Sequence, residues 1–499
     1  MSLRVFIFCF LFVLTAFYGE EDKEIKVLFT GNTHGYSERF TDKDGTLKGG
    51  AAARKTVIDS VTGDLKRTDI LLLDAGGFVN GTPQSIFTNG KAEISALNQL
   101  GYDAVGVGFT EIMDSFKDFS AYNKESRFYF ISSNIQAKKK GIAESYYVKT
   151  INGVKVAVVS FVREELITAM SSVAQKDFNI DDPYNTAMEL VTAIKNKENP
   201  SVIIALTSMG YNEKDSISGV VRLAASVPDI DIIIEADSCL TGNETFTKGK
   251  THIVTTGEKG VFLGELKIFL QNNTVSSVHP KYHLIDESVE EDSSIKNKLA
   301  SITKNYAKSL EKRVATLKNG TLSSAGRMEK LTTLTSVVTD AVVSETAVDI
   351  CFINAGFFAD AELYEGKIIN YDTFNEAIKF DNAVVLLNIT GKELSEIFEY
   401  SFNRIGYGNF LLYSGAQVDY NAESKVVEAI RIKDQNIADA KIYKVAITDY
   451  LANGGDGYEL FKKNSTKINT HIPVSILLGR YLTTLKSINA IAPNGLIIK

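Results

Sequence analysis

The chain has 499 residues, 44% hydrophobic and 23% charged, which excludes disordered and fibrous classes and leaves room for several domains with real cores. Lysine and arginine number 54 against 61 acidic residues, a formal charge of −7, so the basic footprint of a nucleic-acid binder is missing. Aromatic surface is plentiful, with 28 phenylalanines and 21 tyrosines, whereas histidine, a common metal ligand, occurs only 5 times.

In chain order, Arg4 precedes an almost continuous apolar run, Val5–Phe17, closed by Glu20, Glu21 and Asp22. This reads as a secretory leader over 1–19, with a membrane anchor as the alternative. Sequons at Asn80, Asn243, Asn272, Asn319, Asn388 and Asn464 agree with export. Ala490–Lys499 contains Pro493 and Asn494 and predicts neither a lipid-anchor signal nor a stop-transfer helix. The expectation is a secreted, extracellular protein without a membrane anchor. Cys9 leaves with the leader, so Cys239 and Cys351 either pair or stay as buried thiols.

From Glu24 onward, short β-branched runs alternate with polar, periodic stretches. Ile25–Phe29, Ile70–Leu73, Ala104–Val107, Phe128–Ile131, Val154–Phe161, Val202–Leu206 and Ile230–Ile234 read as buried strands. Gly50–Thr62, Ala92–Leu100 and Tyr184–Asn196 read as the helices between them. That alternation predicts a layered α/β domain over 24–286, with any ligand at the loops following strand ends. Residues 287–320 are charged and helix-prone, a candidate connecting helix. A second, α+β domain is expected over 321–499, with helices at Thr332–Ser344 and Lys392–Phe402 and strands at Val384–Ile389 and Ile442–Thr448.

The strand-end loops carry a resemblance. Val27-Leu-Phe-Thr-Gly-Asn-Thr-His34-Gly, Gly49-Gly-Ala-Ala-Ala-Arg54, Leu73-Asp-Ala-Gly-Gly-Phe78 and Leu100-Gly-Tyr-Asp103 occur in order. Ile353-Asn-Ala-Gly356, Thr390-Gly-Lys-Glu-Leu394, Gly408-Asn-Phe410 and Asp449-Tyr-Leu-Ala-Asn-Gly-Gly-Asp-Gly457 follow them. The chain resembles the secreted 5′-nucleotidases, among them the salivary type of blood-feeding arthropods, as a degenerate member. The resemblance implies an N-terminal α/β/β/α metallophosphoesterase-like domain and a C-terminal α+β substrate-binding domain.

The family's N-terminal domain uses two divalent metals such as zinc, held by carboxylates and imidazoles. At the matching positions this chain has Asn32-Thr-His34, Gly76-Gly77, Gly108-Phe109-Thr110-Glu111, Leu206-Thr207-Ser208 and Ala236-Asp237-Ser238-Cys239. Only His34 keeps its identity. Gly77 replaces the bridging aspartate, and two cations ~3.5–4 Å apart would repel with nothing between them. The expectation is therefore no catalytic residue, no cofactor and only vestigial metal positions at Asn32, His34 and Asp237. Those residues with Cys239 either hold one ion or form a polar remnant.

At the C-terminal positions, the resemblance implies that Asn354 contacts a base, Phe380 and Tyr450 sandwich it, and Asp456 binds the ribose hydroxyls. Alternatively, the two rings are core aromatics and Gly454–Gly457 is simply a tight turn. The phosphate-binding arginines do not carry over: Phe358-Ala359 and Asn409 stand at two of their places, and Arg327 matches loosely.

Two functional classes follow. The first is a non-catalytic, secreted binding protein whose partner is a nucleoside or nucleotide, or an extracellular receptor or adhesive protein, with an anti-haemostatic role against platelet aggregation implied only by the salivary resemblance. The second is a slow nucleotidase with a rebuilt single-metal site of Asn32, His34, Asp237 and Glu111; a nucleoside scavenger is a third option.

Overall fold

A computed structural model of the chain describes residues 23–42, 44–138, 143–170, 173–211, 219–236, 244–305, 314–370, 373, 377–380 and 382–499. The leader, Asp237, Cys239 and the Asn243 sequon lie outside the described residues.

Strand Lys23–Thr30 shows why the first half layers as it does. Its side chains alternate: Ile25, Val27 and Phe29 enter one core and Leu28 another. Leu71 and Leu73 repeat this against Leu72 in the parallel neighbour Ile70–Asp74. Both belong to a six-stranded sheet ordered Thr274–Leu284, Phe262–Gln271, Lys23–Thr30, Ile70–Asp74, Ala104–Gly106, Tyr129–Ile131. A second six-stranded sheet runs Thr245–Lys248, Thr251–Thr255, Ile232–Glu235, Val202–Ser208, Val154–Val162, Tyr147–Ile151.

The inward faces of the two sheets meet in an apolar core that includes Val27, Leu73, Val156, Val158, Ile204, Leu206 and Ile234. Each such fully buried side chain contributes about 1.5–3 kcal/mol. Helices Ala51–Thr62 and Lys91–Leu100 cover the outer face of the first sheet, and Pro183–Glu198 and Gly219–Ser226 that of the second. The result is an α/β/β/α sandwich.

Of the expected connector, Ser293–Thr303 is helical, with Ile295 and Leu299 buried. Residues 315–319 differ from expectation: they form a strand that pairs with Ser487–Asn489 and Ile368–Ile369, burying Ala315 and Leu317 on alternate positions.

The second half is built on a five-stranded sheet ordered Leu411–Ser414, Ile350–Asn354, Ile442–Thr448, Ala383–Thr390, Ile468–Pro473. Helices Thr333–Thr346, Gly391–Phe402 and Val474–Leu485 accompany it. Thr390-Gly-Lys-Glu393 starts one of them as a capping box, with the Thr390 amide donating to Glu393 at 2.8 Å and the Glu393 amide returning to Thr390 at 3.3 Å. Cys351 is a free, buried thiol in the central strands, where burial pushes its pKa up.

Among the sequons, Asn80 is only 6% exposed and donates to the Thr110 carbonyl at 2.8 Å, so the folded chain offers no acceptor amide there. Among the described residues, no helix is long and apolar enough to cross a membrane.

Candidate functional site

Two strand-end regions hold the residues singled out from the sequence. The first lies after strand Lys23–Thr30. Asn32 and His34 both adopt positive φ, 49° and 46°, because their amides reach across to the Gly76 and Gly77 carbonyls at 2.8 Å each. Asn32 Nδ2 donates to the Ala236 carbonyl, and the Asn32 carbonyl accepts from the Lys259 amide at 2.7 Å. The Asn32 side chain is thus tied into the framework.

Gly77 has φ 74°, and a Cβ there would lie 2.3 Å from Asn32 Oδ1. The space above Gly77 is taken up by the Asn32 amide. Phe109 is buried.

Glu111, a donor of the alternative rebuilt site, is committed elsewhere. Its oxygens accept from the amides of Gly77 at 3.0 Å, Phe78 at 2.8 Å and Gly108 at 2.9 Å, and from the Thr110 hydroxyl at 2.8 Å. The carboxylate therefore acts as an internal anchor for two loops. Burial raises its pKa, and those hydrogen bonds oppose the rise.

His34 is 3% exposed and stacks on His471, with ring centroids 4.1 Å apart and 17° between planes. Neither ring nitrogen of His34 has a hydrogen-bond partner. Burial first, then His471 and Lys259, hold its pKa well below the usual histidine range, so it is neutral at physiological pH. His471 comes from strand Ile468–Pro473 of the second half and lies 3.7 Å from the Glu258 carboxylate.

The fit to two divalent ions fails on these observations. Among the described residues, a glycine at position 77, an amide fixed to a carbonyl, a carboxylate spent on amides and a stacked imidazole leave no converging donor set. Among the described residues, no three of His, Cys, Asp and Glu come together in a ligating arrangement. Asp237, the third vestigial position, lies outside them. Replacing His34 by Ala is expected to change stability by no more than about 1 kcal/mol, because the lost packing is offset by removal of an unpaired buried polar ring. Urea unfolding checks this.

The second region brings together all four C-terminal candidates. Asn354 ends strand Ile350–Asn354, and Tyr450 is the second residue of the helical turn Asp449–Ala452 that follows the parallel neighbour Ile442–Thr448. Asp456 sits at φ 58° in the following Gly454–Gly457 turn.

Asn354 Nδ2 donates to Asp456 Oδ2 at 2.8 Å and the Tyr450 hydroxyl donates to Oδ1 at 2.8 Å. The Tyr450 phenol is correspondingly held above its usual pKa, chiefly by that carboxylate. Gly455 permits this arrangement: a Cβ there would lie 2.5 Å from the Tyr450 ring.

Phe380 and Tyr450 are 55% and 44% exposed, so neither is a core aromatic. With Asn354, Gly356, Asn382, Gly408, Asn409 and Asp456 they line a cleft of about 620 Å³. Its described lining carries one formal charge, the Asp456 carboxylate, and no cation. Arg327 is ion-paired with Asp360 and does not line the cleft, and Phe358 is buried. Asn409 adds an acceptor, Oδ1, that is buried without a hydrogen-bond partner.

Residues 313–463 match the family model described as 5′-nucleotidase, C-terminal domain. The chain is 25% identical to a 5′-nucleotidase of Vibrio cholerae, covering 96% of this chain and 94% of that protein. It is also 25% identical to the snake venom 5′-nucleotidase of Crotalus adamanteus, covering 92% of this chain and 86% of that one. Among solved structures, the NAD nucleotidase of Haemophilus influenzae superposes with a TM-score of 0.83 over 96% of this chain and 99% of its own, at 16% identity.

Proposed function

We propose that this chain, whose residues 313–463 match the C-terminal domain of 5′-nucleotidases and which is 25% identical to one of them over 96% of its length, binds a neutral nucleoside without hydrolysing nucleotides. In this reading 24–286 is a catalytically degenerate phosphoesterase-like domain and 321–499 is the binding domain. The observation that carries it is the contrast between the two strand-end regions. One has its metal-binding chemistry replaced by internal hydrogen bonds, while the other keeps two exposed rings beside an ordered amide and carboxylate.

The chemistry of the cleft favours a nucleoside over a nucleotide. Each flat ring offers stacking worth ~1–3 kcal/mol per base. Both Asp456 oxygens retain a lone pair for a ribose hydroxyl beyond the donors they already hold. A phosphate would face a cleft whose described lining carries a negative charge and no cation. The buried Asn409 acceptor suits a ligand N–H. We place the protein outside the cell, a setting supported by the apolar run Val5–Phe17 and the sequons.

The test is calorimetric titration with adenosine and with AMP, beside phosphate release from AMP, ADP and ATP with added Zn²⁺ or Mn²⁺ and chelator controls. The expected result is saturable adenosine binding, AMP binding no tighter, and no phosphate above blank. Chelator-sensitive turnover lost in His34→Ala would overturn the non-catalytic reading, and absence of any adenosine heat would overturn the ligand.

A further inference from the structure

A buried carboxyl outside both regions has no partner to account for it. Glu93, in helix Lys91–Leu100, is 3% exposed, and neither carboxyl oxygen has a hydrogen-bond partner. Leaving such a group unpaired in a dry interior is strongly unfavourable if it is ionised.

Its surroundings are nevertheless polar. Glu93 borders a small cavity with Ser37, Arg54, Thr33 and Phe78, and the cavity leaves about 10 Å³ for the centre of a water molecule, room for one. Ser37 Oγ and Arg54 Nε are also buried without hydrogen-bond partners. Orphaned donors and acceptors on several sides of a one-molecule void describe a water site.

We propose that this cavity holds one ordered water linking Glu93, Ser37 and Arg54, and that Glu93 is a proton switch beneath the strand-end loops. The charge balance supports it. Arg54 is the cation bordering the cavity, and its charge also stabilises Asp74, which already accepts from the Thr30 hydroxyl at 2.5 Å and the Gly76 amide at 2.9 Å.

The other groups facing Glu93 add no positive charge. Its own backbone amide and then the Ser85 and Ser37 hydroxyls lower its pKa, Glu38 in the loop raises it, and the Tyr122 phenol faces it from helix Phe116–Glu125. The adjacent helix Ser293–Thr303 buries Ile295 and Leu299. Burial dominates and pushes Glu93 up to about 7 from the ordinary 4.5.

The sign follows from linkage. The folded state keeps the proton that the unfolded chain releases above pH 4.5, so the contribution of Glu93 is fully present below 4.5 and lost as pH rises to about 7. Protonation adds one solvent proton to a carboxylate oxygen, and no other bond changes. Because Thr33–Ser37 and Phe78 flank the cavity, ionisation places a bare charge under the loops that carry His34 and follow Gly77. His34 titrates in the opposite sense, its depressed pKa costing stability on acidification, so the informative quantity is a difference between variants.

Thermal melting of the full chain from about pH 4.5 to about pH 8.5, as wild type and as Glu93→Gln, is the test. The wild type is expected to lose about 5 °C relative to Glu93→Gln across that range. Parallel melting profiles would overturn the switch. If the variant does not fold, infrared difference spectra of the wild type serve instead: a protonated-carboxyl band should fade towards pH ~8 in wild type, and its absence at acid pH would overturn the switch. A high-resolution crystal structure should show one water within hydrogen-bonding distance of Glu93 and Ser37, and a dry cavity would overturn the water site.

Discussion

Placing a carboxylate at position 77 by Gly77→Asp should destabilise the protein by about 3 kcal/mol and produce no phosphate release. The positive φ of 74° is the smaller part, since Asp tolerates that region better than most residues. The larger part is space and charge. The new Cβ would stand 2.3 Å from Asn32 Oδ1, and the Asn32 side chain is held by its bond to the Ala236 carbonyl. The new carboxylate would also arrive beside Glu111, which accepts from the Gly77 amide itself at 3.0 Å. Two acids sharing a buried site cannot both ionise cheaply.

Adding Asn32→Asp relieves no crowding and brings a third carboxyl. Asn32, Gly77 and Glu111 support one another at this end of the sheet, so introducing one carboxylate at a time runs uphill. Urea denaturation of wild type and variant, with phosphate release on the same samples, measures both halves. An unchanged midpoint would mean that Asn32 moves freely and the region is looser than its hydrogen bonds indicate.

How much of this was legible without coordinates depends on whether the signal is local. Strands such as Val154–Val162 and Val202–Ser208 announce themselves, because a sheet covered on both faces needs continuous apolar runs. The Thr390–Glu393 capping box is equally local. The strand at Ala315–Asn319 was hidden in a charged stretch, because its pairing partners Ser487–Asn489 and Ile368–Ile369 are remote in sequence.

The candidate residues divide in the same way. That Gly77 offers no donor side chain is visible in the residue type itself. That Glu111 anchors amides rather than ligating an ion is not, because the partners Gly77 and Phe78 arrive from another strand end. Likewise His471 sits in no motif, and only the fold brings it onto His34. Glu93 did leave a trace: with Leu97 and Leu100 it follows the spacing of one buried helix face. A charged residue at such a position is ordinarily read as the edge of the stripe, and that assumption concealed it.

Phe380→Ala with Tyr450→Ala should weaken adenosine binding by about 4 kcal/mol, nearly a thousandfold, while leaving the melting temperature almost unchanged. The two readouts discriminate because the rings are exposed. A buried aromatic truncated to Ala costs about 3–5 kcal/mol of stability, whereas Phe380 and Tyr450 already present about half their surface to solvent. A large drop in melting temperature would therefore return them to the core and remove the cleft as a binding site.

Tyr450→Phe separates stacking from the hydroxyl. It keeps the ring against Gly455 but deletes the donor to Asp456 Oδ1, leaving the Asn354 amide as the one remaining side-chain donor to that carboxylate. Adenosine affinity should change by less than about tenfold, since a freed carboxylate oxygen near solvent is rehydrated or taken by a ribose hydroxyl. A loss as large as that of the double Ala variant would mean that the phenol itself contacts the ligand and that stacking is the minor contribution.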